Sequence, residues 1–172
     1  MVINTKIGYC PTMKKYVINF FKNKEFELIN LGSARQVLFL LNNDKIDVGV
    51  IGRQAKKSEF KGVLKRIGTG YTLITTIKSM ISNKDLEMLE IHTSISKEII
   101  KEKYPYLKNV IYHNSLKDAL SKGKIQLISW DDWNDGFELL IPVDDFNNKN
   151  PDFRVPHFYS KKDLFLEKLG VI

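Results

Sequence analysis

Residues 26–53 read FELINLGSARQVLFLLNNDKIDVGVIGR, and their pattern decides the fold. Residues 26–31 form a short strand-like run. Gly32-Ser33 then makes a tight turn, with Ser33 where a helix N-cap belongs. Val37, Leu38, Leu40 and Leu41 give one apolar helical face, and Asn42-Asn43-Asp44 closes the helix. Residues 46–51 follow as a buried strand that ends at Gly52-Arg53. Strand, helix and strand make a βαβ unit, whose parallel strands send their carboxyl ends to one edge. Ser33 at the helix N-terminus and the cation of Arg53 lie at that edge, a place to hold a small ligand, preferentially an anion.

Outward from this unit, residues 6–10 form a first strand, broken by Pro11-Thr12. Tyr16, Val17, Phe20 and Phe21 line the helix that follows. Downstream, residues 63–67 and 71–77 read as strands around Gly68-Thr69-Gly70. The pattern then starts again. Residues 86–92 read as a strand, Thr93-Ser94 opens a helix with Ile95, Ile99 and Ile100 inward, and Pro105 ends it. Residues 109–113 are the next strand, Asn114-Ser115 the next turn, and residues 116–120 the next helix. Gly123 serves as its C′ residue before a strand at 125–130. Thr12 and Ser33 lie 21 residues apart, as do Ser94 and Ser115, and Lys45-Ile46-Asp47-Val48 matches Lys124-Ile125-Gln126-Leu127. Two related β-α-β-α-β lobes are expected. A strand at 137–143, a polar loop at 144–151, a strand at 155–159 and a helix opened by Ser160 complete the chain. Lobe one is expected over 1–75 with 137–172, lobe two over 76–136, with hinges near 68–77 and 136–143.

Bulk composition bounds the function. With 172 residues, 43% apolar and 27% charged, the chain can bury a good core. No apolar run approaches the roughly 20 residues of a bilayer span, so no membrane insertion is expected. Read with Met1 as the natural start, the chain has no secretory leader, which places it in the cytoplasm. The single Cys10 excludes an intramolecular disulfide. The net charge of +7 comes from scattered lysines such as Lys97, Lys101 and Lys103, with no dense basic block between aromatics. Solvated faces are favoured, and no nucleic-acid partner is expected.

The stretch INLGSARQVLFLLNNDKIDVGVIGR resembles the type 2 periplasmic-binding-protein-like fold of solute-binding proteins and LysR effector domains. RIGTGYTLITT is similar to its crossing strand, and RVPHFYSKKD resembles its late strand and helix. The resemblance implies an α/β, two-lobed architecture with a ligand in the cleft between lobes. It implies as ligand-binding positions Tyr9, Thr12, Ser33 and Arg53 in lobe one. In lobe two they are Thr93, Ser94, Asn114, Ser115, Trp130 and Asp131.

Each of these residues also has a plainer reading. Ser, Thr and Asn cap any helix; Arg53 could clamp a carboxylate or be a loop cation. Asp131 could take a ligand ammonium while Trp130 stacks, or Trp130-Asp131-Asp132-Trp133 could be an aromatic-anchored turn. Tyr9 could face the cleft floor or pack in the core. His92 and His113 each end a strand two residues before a hydroxyl. A general base is one reading of them, a satisfied polar edge residue the favoured one. No spacing suits zinc, so neither metal nor cofactor is expected, and no catalytic residue is assigned.

The leading function is a small-molecule binding protein that closes two lobes on an anionic or zwitterionic solute. A second reading is a cytoplasmic enzyme on the same fold acting on a small carboxylic acid. Ile7-Gly8-Tyr9 resembles the start of menaquinone-pathway enzymes that act on chorismate derivatives. A third is a sensor or interaction module that forms a homodimer through lobe-one helices, with a transporter or regulator as partner.

Overall fold

The computed structural model describes residues 5–21, 26–66, 70–75, 80–81, 87–142 and 155–168. The chain divides into two compact units, Met1–Gly68 with Val155–Ile172, and Thr69–Arg154. Residues 68 and 69, the polar loop at 144–151 and the residue at 86 lie outside the described ones, as do parts of both expected hinges.

The first unit is built on β1 (Lys6–Tyr9), β2 (Glu27–Asn30), β3 (Val48–Ile51), β4 (Val63–Arg66) and β12 (His157–Ser160), in the order β2-β1-β3-β12-β4. β1, β2 and β3 are parallel, and β12 runs antiparallel between β3 and β4. Central β3 and β12 are buried along their whole length, as strands covered on both faces must be. Edge strand β2 exposes Glu27 and Asn30. Helices α1 (Lys14–Phe20) and α2 (Ala34–Asn42) follow β1 and β2. α2 buries Val37, Leu38 and Leu41 on one face, each contributing about 1.5–3 kcal/mol. Asp44, at φ 57°, turns the chain out of α2, and Lys161 Nζ donates to Asn42 O at 2.7 Å and to Asp44 Oδ1 at 3.0 Å. A cation at a helix C-terminus is favourable, so this contact ties the segment after β12 to α2.

The second unit holds β5 (Tyr71–Thr75), β7 (Ile91–Thr93), β8 (Val110–Tyr112), β9 (Ile125–Ser129) and β10 (Glu138–Leu139). Read from its β8 edge, this sheet runs β8-β7-β9-β5-β10, with β8, β7 and β9 parallel and β5 antiparallel to β9. This is the order of the first sheet: β7 stands for β1, β8 for β2, β9 for β3, β5 for β12 and β10 for β4. In each sheet the antiparallel strand is the one by which the chain arrives from the other unit. That topology is the type 2 periplasmic-binding-protein-like fold. Helices α3 (Lys97–Lys103) and α4 (Leu116–Lys122) follow β7 and β8, and α5 (Asp163–Lys168) follows β12. A short parallel pair, β6 (Met80–Ile81) with β11 (Ile141–Pro142), completes the second unit.

Several boundaries differ from the sequence expectation. β5 and β10 pair within the second sheet, whereas the expected boundaries at 75 and 137 put them with lobe one. The strand expected over 86–92 is confined to β7. Glu87 and Met88 are helical, because Leu, Glu and Met favour helix and the β-branched residue arrives only at Ile91. The strand expected over 137–143 divides into β10 and β11. Leu140 is turned inward and its N–H donates to Leu73 O at 3.1 Å. Gly123 is not a left-handed C′ residue: its backbone is extended at φ −126°, ψ 163°.

The repeat is real, but the 21-residue spacing does not define it. Leu31 N donates to Tyr9 O and His113 N donates to Thr93 O, so Tyr9 is equivalent to Thr93 and Leu31 to His113. Ser33 and Ser115 then coincide, each two residues further on. Ser94, however, coincides with Cys10, not Thr12. Tyr9 lies level with Val50 and Thr93 with Leu127, so Val50 rather than Val48 matches Leu127. From Ser33 to Val50 is 17 residues and from Ser115 to Leu127 is 12, and the lengths of α2 and α4, 9 and 7 residues, account for two of the five.

Candidate functional site

In each unit the parallel strands deliver their following loops to one sheet edge. In the first unit these loops carry Thr12, Ser33 and Arg53. In the second they carry Ser94, then Asn114 and Ser115, then Trp130 and Asp131.

Ser33 caps α2 by accepting from Gln36 N at 3.1 Å, and Gln36 Oε1 accepts from Gly32 N at 3.1 Å. Ser115 caps α4 in the same way, accepting from Asp118 N at 3.1 Å. Both hydroxyls are exposed and retain a proton to donate. The first turn of α2 has no acidic residue, and exposed Arg35 follows Ser33 by two residues; in α4 exposed Lys117 follows Ser115 by two, with the acidic Asp118 next to it. A cation beside the positive end of a helix dipole is unfavourable for the helix alone. The sequence pattern Ser-x-Arg/Lys carried this signal at both turns.

The remaining candidates differ in exposure. Thr12 is exposed in the 3-10 turn Pro11–Met13, its Oγ1 3.3 Å from Cys10 Sγ. Ser94 is exposed but opens no helix, since α3 starts after Ser96. Asn114 and Asp131 are exposed. Tyr9 is a core residue at 6% exposure. Thr93 is fully buried, donating to Leu127 O at 2.8 Å and accepting from Ile95 N at 3.1 Å. Trp130 is buried against Trp133, with ring centroids 6.2 Å apart, as an anchored turn.

Arg53 is neither an anion clamp nor a loose cation. Its Nη1 and Nη2 donate to Glu59 Oε1 at 2.8 Å and Oε2 at 2.7 Å, so the fork is spent on a carboxylate of its own loop. Lys56 N also donates to Glu59 Oε1 at 2.9 Å, and Ala55 N donates to Tyr159 Oη at 2.7 Å, fastening the loop to β12. Glu59 was invisible to sequence reasoning because a carboxylate in a lysine-rich loop reads as solvated. Burial pushes the Glu59 carboxyl up, but the Arg53 hydrogen bond, the Lys56 N–H and the charges of both residues outweigh it. The net shift is below the ordinary 4.5. A depressed carboxyl contributes stability that is present above pH 4.5 and is lost as pH falls through the lower folded value. Urea midpoints are therefore expected to fall more steeply below that pH in wild type than in Glu59→Gln; equal slopes would remove the clamp from the stability account.

His92 and His113, assigned no role in binding, meet in the second unit: Nδ1 of His92 lies 2.7 Å from Nε2 of His113. Their spacing across one β-α-β step was the signal for this contact. Among the described residues no group of three or more His, Cys, Asp or Glu side chains could hold a metal ion. No helix among them is long and apolar enough to cross a membrane.

No known family's sequence pattern matches the chain, and no curated protein is similar to it in sequence. Similar solved structures include a variant of the OxyR2 regulatory domain from Vibrio vulnificus, 14% identical, covering 97% of this chain and 94% of that one at a TM-score of 0.43. PstS from Borrelia burgdorferi is 15% identical, with coverages of 98% and 91% and a TM-score of 0.41. An ABC-type phosphate transport receptor from Vibrio cholerae is 11% identical, with coverages of 97% and 93% and a TM-score of 0.37. At such values the fold assignment rests on the strand order and directions of the two sheets.

Proposed function

We propose that this chain binds a small anionic or zwitterionic solute through the loops that follow its parallel strands, with Ser33 and Ser115 at their centre. One observation carries the reading: two equivalent turns each present a serine-capped helix start and a basic residue two positions on. The first N–H groups of a helix have no partner within it, and a bound anion satisfies them. It also relieves the conflict between the dipole of α2 and Arg35; in α4 Asp118 already offsets Lys117 in part. Exposed Thr12, Ser94 and Asn114 supply further hydroxyl and amide groups, and Asp131 a carboxylate for the ammonium of a zwitterion. Tyr9, Thr93, Trp130 and Arg53 hold these loops in place.

A thermal-shift panel of phosphate, sulfate, di- and tricarboxylates and amino acids tests this. A ligand at a hundred times its Kd adds about 2.7 kcal/mol, or roughly 5–11 °C for a chain of this size. Arg35→Ala and Lys117→Ala are expected to hold or slightly raise the unliganded Tm and to cut the ligand-induced shift at least by half. A panel without a shift, or a shift unchanged in both variants, would sink the proposal.

A further inference from the structure

The second sheet holds a histidine pair, His92 buried and His113 half-buried, where the first has an apolar contact. Gly8 is level with Gly49 in the first sheet, and at the equivalent positions His92 is level with Gln126. Leu31, whose Cδ1 would lie 2.9 Å from a Cβ placed on Gly8, is replaced at its equivalent position by His113. His92 is 6% exposed, and its ring lies nearly parallel to that of His113, 18° apart with centroids at 5.0 Å. The backbone of Gly123 lies against the His92 ring. Fully buried Gln126 donates to Gly123 O at 2.6 Å and Ala119 O at 3.4 Å, so α4 presents carbonyls and β9 a neutral amide to this pocket. Among the described residues Glu90 puts a charge beside the pair, with Oε1 3.8 Å from His92 Nε2.

We infer that His92 and His113 form a proton site that latches the turn 113–115 to the second sheet, closed with at most one added proton and opened by a second. In the neutral pair one ring donates its N–H and the other accepts on its lone pair. One added proton leaves a bridge between imidazolium and imidazole, a charge-assisted bond next to the Glu90 carboxylate. A second proton occupies the accepting lone pair, so two N–H groups face each other and the bridge breaks. The unfolded chain accepts both protons. It then binds one more than the native state, and stability falls as pH falls, by at most tenfold in the folding equilibrium per pH unit. Opening releases the turn that carries Asn114 and Ser115. The latch itself does not depend on the proposed ligand.

Urea unfolding in steps from about pH 7.5 to about pH 5, the range in which histidine changes charge, tests the site on wild type, His92→Gln and His113→Leu. His113→Leu installs the residue of the first unit. Should it not fold, His92→Gln retains a hydrogen-bonding side chain and carries the test. The wild-type folding equilibrium is expected to fall with acid up to tenfold per pH unit more steeply than in the variants. Amide protection factors at residues 113–118, which allow for the slower intrinsic exchange in acid, are expected to fall before those of β7 and β9. Parallel pH curves, or protection in the turn that does not fall with acid, would overturn the latch.

Discussion

Replacing Phe158 by alanine is expected to cost about 3–5 kcal/mol. Phe158 sits in β12, is 1% exposed and lies level with Val50 of β3. Its ring centroid is 5.5 Å from that of Phe20 and 6.1 Å from that of Phe21, so one side chain joins the central strand to the end of α1. Truncation loses the transfer energy of the ring and leaves a cavity that β3 and β4 cannot close without breaking their ladders with β12. Domains of this size have about 5–15 kcal/mol in all. Both tryptophans, Trp130 and Trp133, lie in the second unit, so far-UV ellipticity reports the first unit's loss and tryptophan fluorescence does not. The ellipticity transition in urea is expected to move to lower concentration and to precede the fluorescence transition. A loss below about 1 kcal/mol would mean that Phe158 does not pack in the core between β12 and α1.

Gly123→Ala is expected to destabilise the second unit by about 1–3 kcal/mol through overpacking alone. The backbone at φ −126° and ψ 163° accepts any residue, so no conformational penalty enters. An added Cβ would fall on Cδ2 and Cγ of the His92 ring, and 2.9 Å from its Cβ. The ring can escape only by leaving His113 and the shelter of α4. A double-mutant cycle separates this from a generic effect: with His92→Ala in place, Gly123→Ala should cost about 1 kcal/mol less or better. Additive losses would show that the glycine matters for some reason other than the histidine.

These two residues mark the limits of what could be read in advance. The β-α-β stretch at 26–53, the serine caps at 33 and 115, the buried face of α2 and the existence of a repeat were legible in one dimension. Each follows from local periodicity and capping chemistry within a few turns of chain. Gly123 was legible only as a helix terminator, and its contact with His92 comes from a segment 31 residues earlier. Arg53 was visible as a cation near a strand end, but its commitment to Glu59 depends on a loop conformation set by Tyr159 from the far end of the chain.

The amino-acid sequence by itself determined the two-lobed α/β class, the positions of most helices and strands, and the placement of serines at two helix starts. Those properties depend on which neighbours along the chain share a face. Only the tertiary structure decided the register of the repeat, the membership of β5 and β10 in the second sheet, and which polar side chains remain available. Hydrogen bonds and buried contacts between distant segments consume donors and acceptors, and no local pattern records which of them are spent.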